Sequence, residues 1–113
     1  MTAMNLTQEQ VNEIVAEAMT EARKAAMAAL AVHGDRDACG FAWTSIYKVK
    51  GNTKVGKMLK AAGVRQSYDR SFQLWNPAQL GVQSIGILEE GARAAAEVFR
   101  KYGFEAYAGS RLD

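Results

Sequence analysis

Between Cys39 and Lys50 the chain reads Cys-Gly-Phe-Ala-Trp-Thr-Ser-Ile-Tyr-Lys-Val-Lys, with large and small side chains alternating along most of its length. Phe41, Trp43, Tyr47 and Val49 share one face at period two with Ser45 between them, while Ala42, Thr44, Ile46 and Lys48 share the other. A helix would scatter these residues round its circumference, so the spacing predicts a strand, the longest in the protein, around which the other elements must assemble. Its aromatic face is expected to be core, against the helices that follow it or in a sheet shared across a dimer.

Ahead of the strand the spacing predicts a helix over 8–32. Thr7 with Gln10 three residues later forms a capping box, Glu9 and Glu13 sit near the positive end of the dipole, and Gly34 stops the helix. Its apolar stripe runs through Val11, Ile14, Val15, Ala18, Ala22, Ala26 and Leu30. At about 1.5 Å per residue such a helix is roughly 37 Å long, against a radius of gyration of roughly 13 Å for a domain of this size. That length favours packing against a partner subunit over packing on the chain's own sheet. Gly34-Asp35-Arg36-Asp37 is turn chemistry, and His33 reads as a cap at the negative end of the helix.

After the strand, Gly51-Asn52-Thr53-Lys54-Val55-Gly56-Lys57-Met58 matches a phosphate-binding loop up to its last position. There Met58 stands where a magnesium-ligating Ser or Thr is needed, which argues against nucleotide hydrolysis. The alternative is a short helix capped by Asn52 and running to Ala62, with Lys54, Lys57 and Lys60 outward. A helix start flanked by lysines still favours an anion, so Lys50, Lys54 and Lys57 form a candidate second anion site. Residues 64–68 and 71–77 then read as a hairpin about Asp69-Arg70, with Phe72 and Leu74 on one face and Pro77 as its stop. Trp75 and Asn76 fall at that strand's end. A loop or short strand around 82–85 leads to an amphipathic helix over about 86–102, a strand over 104–108, and a terminal segment 109–113.

The fold class that follows is α/β in the α+β sense: an antiparallel or mixed sheet of about four strands, a long N-terminal helix and two further helices. One domain is expected over 1–113, with the helix at 8–32 and the body at 38–113, and the assembly is expected to be oligomeric. An apolar fraction of 49% and a formal net charge of +2 describe an ordinary globular chain and argue against nucleic acid as the main partner. One cysteine, Cys39, and no evident leader or membrane span point to a reducing cytoplasm. One histidine and no carboxylate pair in an apolar setting leave no catalytic constellation and no metal set, so binding is expected rather than turnover, without a cofactor.

Two classes of binder remain. Six basic residues between Lys48 and Arg65, with no carboxylate among them and with Tyr47 and Tyr68 alongside, suit a small nucleic-acid-binding accessory protein. Arginines spread through the rest of the chain suit a small-anion binder working at a subunit interface.

The Cys-Gly-Phe-Ala-Trp strand, the Gly-Asn-Thr-Lys turn, Leu-Trp-Asn-Pro, and the closing Ala-Gly-Ser-Arg-Leu-Asp, in this order after a long helix, resemble a group of small bacteriophage proteins. In plan the chain is similar to the first type of anti-Thoeris protein, sponges that sequester the cyclic ADP-ribose signals of bacterial TIR-domain defence enzymes. The resemblance implies an α/β protomer in a dimer or hexamer, acting in the cytoplasm of an infected host. It implies a pocket between protomers where an aromatic stacks on adenine and arginines hold phosphates, and some members also bind cyclic oligonucleotides. On this chain the stacking residue is Trp75, where family members carry phenylalanine, and Asn76 or Gln83 supplies a polar edge. Arg111 and Asp113 would meet phosphate and ribose hydroxyls, and Arg100 approaches the same pocket.

Overall fold

The structure, a computed structural model, describes residues 5–36 and 38–113, so Asp37 of the expected turn lies outside the described residues. Seven elements follow in order: α1 (Gln8–His33), β1 (Gly40–Tyr47), α2 (Lys54–Ala61), β2 (Arg65–Gln66), β3 (Phe72–Trp75), α3 (Ile85–Lys101) and β4 (Glu105–Leu112). The strands form one antiparallel sheet in the order β2-β3-β1-β4. After α1 the connectivity is a split β-α-β arrangement: α2 joins β1 to β2, between which β3 later inserts, and α3 joins β3 to β4 across β1, already in place. The expected α+β class, with three helices and four strands, is the one observed.

α1 begins where the capping box places it: the Thr7 side chain accepts from the Gln10 amide, and the Gln10 side chain accepts in return from Thr7. Its stripe of Val11, Ile14, Val15, Ala18, Ala22 and Ala26 is buried within this one chain, not left for a partner. Alanine makes this possible, because small side chains let α1 and α3 approach closely. A Cβ at Gly91 of α3 would stand 3.2 Å from the Ala22 carbonyl and 3.0 Å from the Ala78 Cβ. The molecule measures 42 × 25 × 18 Å, and α1, about 39 Å long at 1.5 Å per residue, accounts for most of its long dimension. Glu17 pins the two helices together further along, accepting from the Tyr102 hydroxyl at 2.6 Å and pairing with Lys101.

The faces of β1 are the reverse of the sequence expectation. Ala42, Thr44 and Ile46 are buried beneath the helices, and Thr44 donates to the Ala92 carbonyl at 2.8 Å. The aromatic face is open instead: Phe41 is 40% exposed, Tyr47 39%, Trp75 43% and Tyr107 52%. Two further boundaries differ. β1 ends at Tyr47, not Lys50, because Lys48 adopts a left-handed φ of 64° that no ladder residue can hold. β4 continues through the segment expected to be a loose terminus, and pairs with β1 over its whole length from Tyr47↔Glu105 to Gly40↔Leu112.

Candidate functional site

β1 begins between two partners. On one side Cys39 bridges to Ser84, with the Gly40 amide donating to the Gln83 carbonyl at 3.1 Å. On the other the Asp113 amide donates to the Cys39 carbonyl at 3.0 Å. Below, the Asn76 amide donates to the Ala42 carbonyl at 3.0 Å, and Asn76 then turns the chain away with a φ of 44°, a left-handed conformation that asparagine tolerates better than most residues. Three segments distant in sequence therefore meet at one corner of the sheet. They enclose a cavity of about 210 Å³ lined by Cys39, Phe41, Trp75, Asn76, Gln83 and Asp113, among others.

Four of the expected ligand residues, Trp75, Asn76, Gln83 and Asp113, are thus brought together. Arg111 joins them: it pairs with Phe41 across β1 and β4, and its guanidinium carbon lies 5.4 Å from the centre of the Phe41 ring. Arg100 does not. It sits at the opposite end of β4, where it donates to the Ala106 carbonyl at 2.6 Å and lies 5.9 Å from the Tyr107 ring centre. Within one chain Arg100 and Arg111 lie apart because α3 ends where β4 begins, while Arg111 is at the strand's far end.

Within the corner, Trp75 and Trp43 stack with ring centres 4.7 Å apart and planes at 29°. The Trp75 indole N–H donates to Gln73 Oε1 at 2.9 Å, which fixes the ring while leaving part of it exposed. Cys39 Sγ donates to Gln83 Oε1 at 3.3 Å. The Asn76 amide nitrogen donates to the Leu80 carbonyl at 3.4 Å, whereas its Oδ1 is buried with no hydrogen-bond partner among the described residues. An acceptor buried without a donor is costly, by roughly 1–3 kcal/mol, and uncommon in folded proteins. The loop carrying Gln83 is clamped from α1's end: Asp35 accepts from both the hydroxyl and the amide of Ser84, at 2.5 and 2.9 Å. Those two bonds hold the Asp35 carboxyl below its ordinary value, the hydroxyl contributing most.

The second anion site is rearranged. α2 is capped by Thr53, not Asn52: Thr53 Oγ1 accepts from the Gly56 amide at 3.1 Å and donates to the Lys50 carbonyl at 2.6 Å. Gly56 is therefore a first-turn helical residue whose N–H is already engaged, and the phosphate-loop pattern has no phosphate-cradling loop behind it. Lys54 and Lys57 point to solvent from α2. Lys50 instead lines a cleft of about 1030 Å³ with Tyr47, Lys48, Lys60, Arg70 and Asp69, immediately beyond the end of β1.

The sequence expectation puts Phe41 and Trp43 in the core and gives Tyr107 no role, whereas Phe41 and Tyr107 are exposed and Trp43 is half-buried. The signal was present in the other face, since Ala42 and Thr44 are the sizes that a close-packed alanine-rich helix can cover. Among the described residues no cluster of His, Cys, Asp and Glu can hold a metal ion, and no helix is long and apolar enough to cross a membrane. Comparison with protein-family models, curated proteins and solved structures finds no match for this chain.

Proposed function

We propose that this chain is a non-catalytic binding protein for a small phosphorylated nucleotide of the cyclic ADP-ribose class, which it sequesters at the corner formed by Trp75, Asn76, Gln83, Arg111 and Asp113. The observation that carries the reading is the convergence of Trp75, Asn76, Gln83 and Asp113 on one cavity with Arg111 beside it. A cavity of about 210 Å³ has room for a base but not for a whole nucleotide. The base would lie against Trp75, with its edge toward the Asn76 side of the cavity. The phosphates would then lie outside, within reach of Arg111, whose planar fork suits two phosphate oxygens at once. Asp113 and Gln83 offer acceptors for ribose hydroxyls. The dimer or hexamer that the resemblance implies would close the open side of the cavity, and the setting it implies is the cytoplasm of a phage-infected bacterium.

Sequestration needs affinity and no turnover. Isothermal titration with cyclic ADP-ribose, ADP-ribose and AMP tests it directly. Binding should be saturable, and the bound nucleotide should be recovered chemically unchanged after heating the complex. Arg111→Ala should weaken binding roughly 10- to 100-fold, the scale of a lost charge-assisted hydrogen bond, with an unchanged thermal midpoint. Absence of binding to all three nucleotides, or an Arg111→Ala variant that binds as tightly as the parent, would refute the assignment.

A further inference from the structure

The corner occupies one end of a larger surface. In register across the sheet, Arg65, Gln73, Ser45 and Tyr107 form one row, and Trp75, Trp43 and Gly109 form the next. Phe41 with Arg111 and Tyr47 with Glu105 form the outer rows. Gly109 allows the Trp43 indole to lie down on β4, since a Cβ there would fall 2.6 Å from its nitrogen. Tyr47 and Tyr107 approach at 6.0 Å with planes at 48°. From Phe41 to Tyr47 these rings extend along β1 for roughly 20 Å at about 3.4 Å per residue. Where they stop, the cleft lined by Lys48, Lys50, Lys60 and Arg70 begins, with Tyr47 in its wall.

We infer that this open face, from Trp43 through Tyr47 and Tyr107 into the basic cleft, binds single-stranded nucleic acid, the unpaired bases stacking on the rings and the phosphates following the cations. The arrangement of groups decides among occupants. Partly exposed rings on a sheet, here Phe41, Tyr47, Trp75 and Tyr107, suit stacking by unpaired bases, which a duplex keeps inside its own stack. The charge balance also points to an anion. Glu105 is paired with Lys48 at 3.2 Å, and the other carboxylate at the cleft, Asp69, is engaged by the hydroxyl and amide of Ser71 at 2.6 and 3.0 Å. Arg65, Lys50, Lys60 and Arg70 have no carboxylate partner within ion-pair distance among the described residues. A second copy docking about a two-fold axis at the basic cleft would bring these like charges together. The inference extends the stacking chemistry of the corner site, but it rests on residues that the small-nucleotide reading does not use.

The test is fluorescence anisotropy with labelled oligo-dT and oligo-rU, from dinucleotide to dodecamer, at low and moderate salt. Affinity should rise with length and then level off once the strand spans the face. The Tyr47→Ala/Tyr107→Ala variant should lose roughly 5- to 100-fold per ring removed. Lys50→Ala with Arg70→Ala should reduce the salt slope by about 0.7 per cation. Neither variant should alter cyclic ADP-ribose binding at the corner, so this inference and the small-nucleotide reading can fail separately. Length-independent binding, equal affinity for duplex, or full affinity in the double tyrosine variant would overturn the inference. So would equal competition by polyglutamate, or a dimer in solution that the tyrosine variant splits into monomers.

Discussion

On its helix-covered side β1 presents Ala42, Thr44 and Ile46, all buried; on its open side the same strand presents Phe41, Trp43 and Tyr47. The three rings lie on the open side, with a buried Ser45 between Trp43 and Tyr47. α3 meets β1 near Ala92, which packs with Leu88 against Ala42. It comes near enough for the Thr44 hydroxyl to reach its backbone, which leaves no space for an indole beneath it. The large core side chains are found elsewhere, in Phe72 of β3 and in Phe99 packed edge-on against Phe104. Rings on the open face meet one another, the Arg100 and Arg111 guanidinium groups and the Gly109 backbone. The two faces thus divide the labour, one holding the fold and the other carrying rings that the fold does not require.

That division breaks if the two kinds of aromatic residue cost the same to remove. Phe72→Ala should destabilise by about 3–5 kcal/mol in urea unfolding, since it empties a fully buried site. Tyr107→Ala, at a ring more than half exposed, should stay within about 0.5 kcal/mol of the parent. Comparable losses would make the open face structural. Between them lies Gly109→Ala. Its new Cβ would meet the Trp43 indole at 2.6–2.9 Å and must displace it, at about 1–3 kcal/mol. Near-ultraviolet circular dichroism should register the loss of the Trp43 and Trp75 stack, and an unchanged spectrum would show that the ring is not held as described.

Much of this was legible in the residues. The capping box at Thr7, the stop at Gly34 and the alternation of Phe72 and Leu74 carry local physics that tertiary packing had no reason to override. What periodicity could not supply was which face of β1 turned inward, because a period of two marks two faces without choosing between them. Nor could it show that Gly109 to Leu112 continues β4. A glycine inside a strand reads as a break, and only the indole lying over it explains its presence. Trp75, Asn76, Gln83, Arg111 and Asp113 were selected by resemblance, and their meeting at one corner depends on that same continuation. That Arg100 lies at the other end of β4 within the chain was not legible either, because strand direction is not written in a local string.

The smallest predicted effect lies at the pin between α1 and α3. Glu17 is held below its ordinary value of 4.5 chiefly by the Lys101 hydrogen bond and next by the Tyr102 hydroxyl. A carboxylate depressed on folding stabilises the fold above its unfolded value, and that contribution disappears as pH falls through the folded value. The window therefore lies below 4.5, on the acid limb. Lys101 and Tyr102 are raised by the same contacts, so their contributions are lost only as pH climbs through their folded values, above 10.5 and 10.0. Glu17→Gln should be less stable than the parent at neutral pH, by a small margin because the pair is partly solvated, and the gap should close as the solution is acidified. A gap that persists in strong acid would mean that the carboxylate's charge is not what the pin uses. The same variant should bind nucleotide as the parent does, since Glu17 belongs to the helix layer and the stacking rings to the opposite side of the sheet. A change in affinity there would couple two faces that the packing keeps apart.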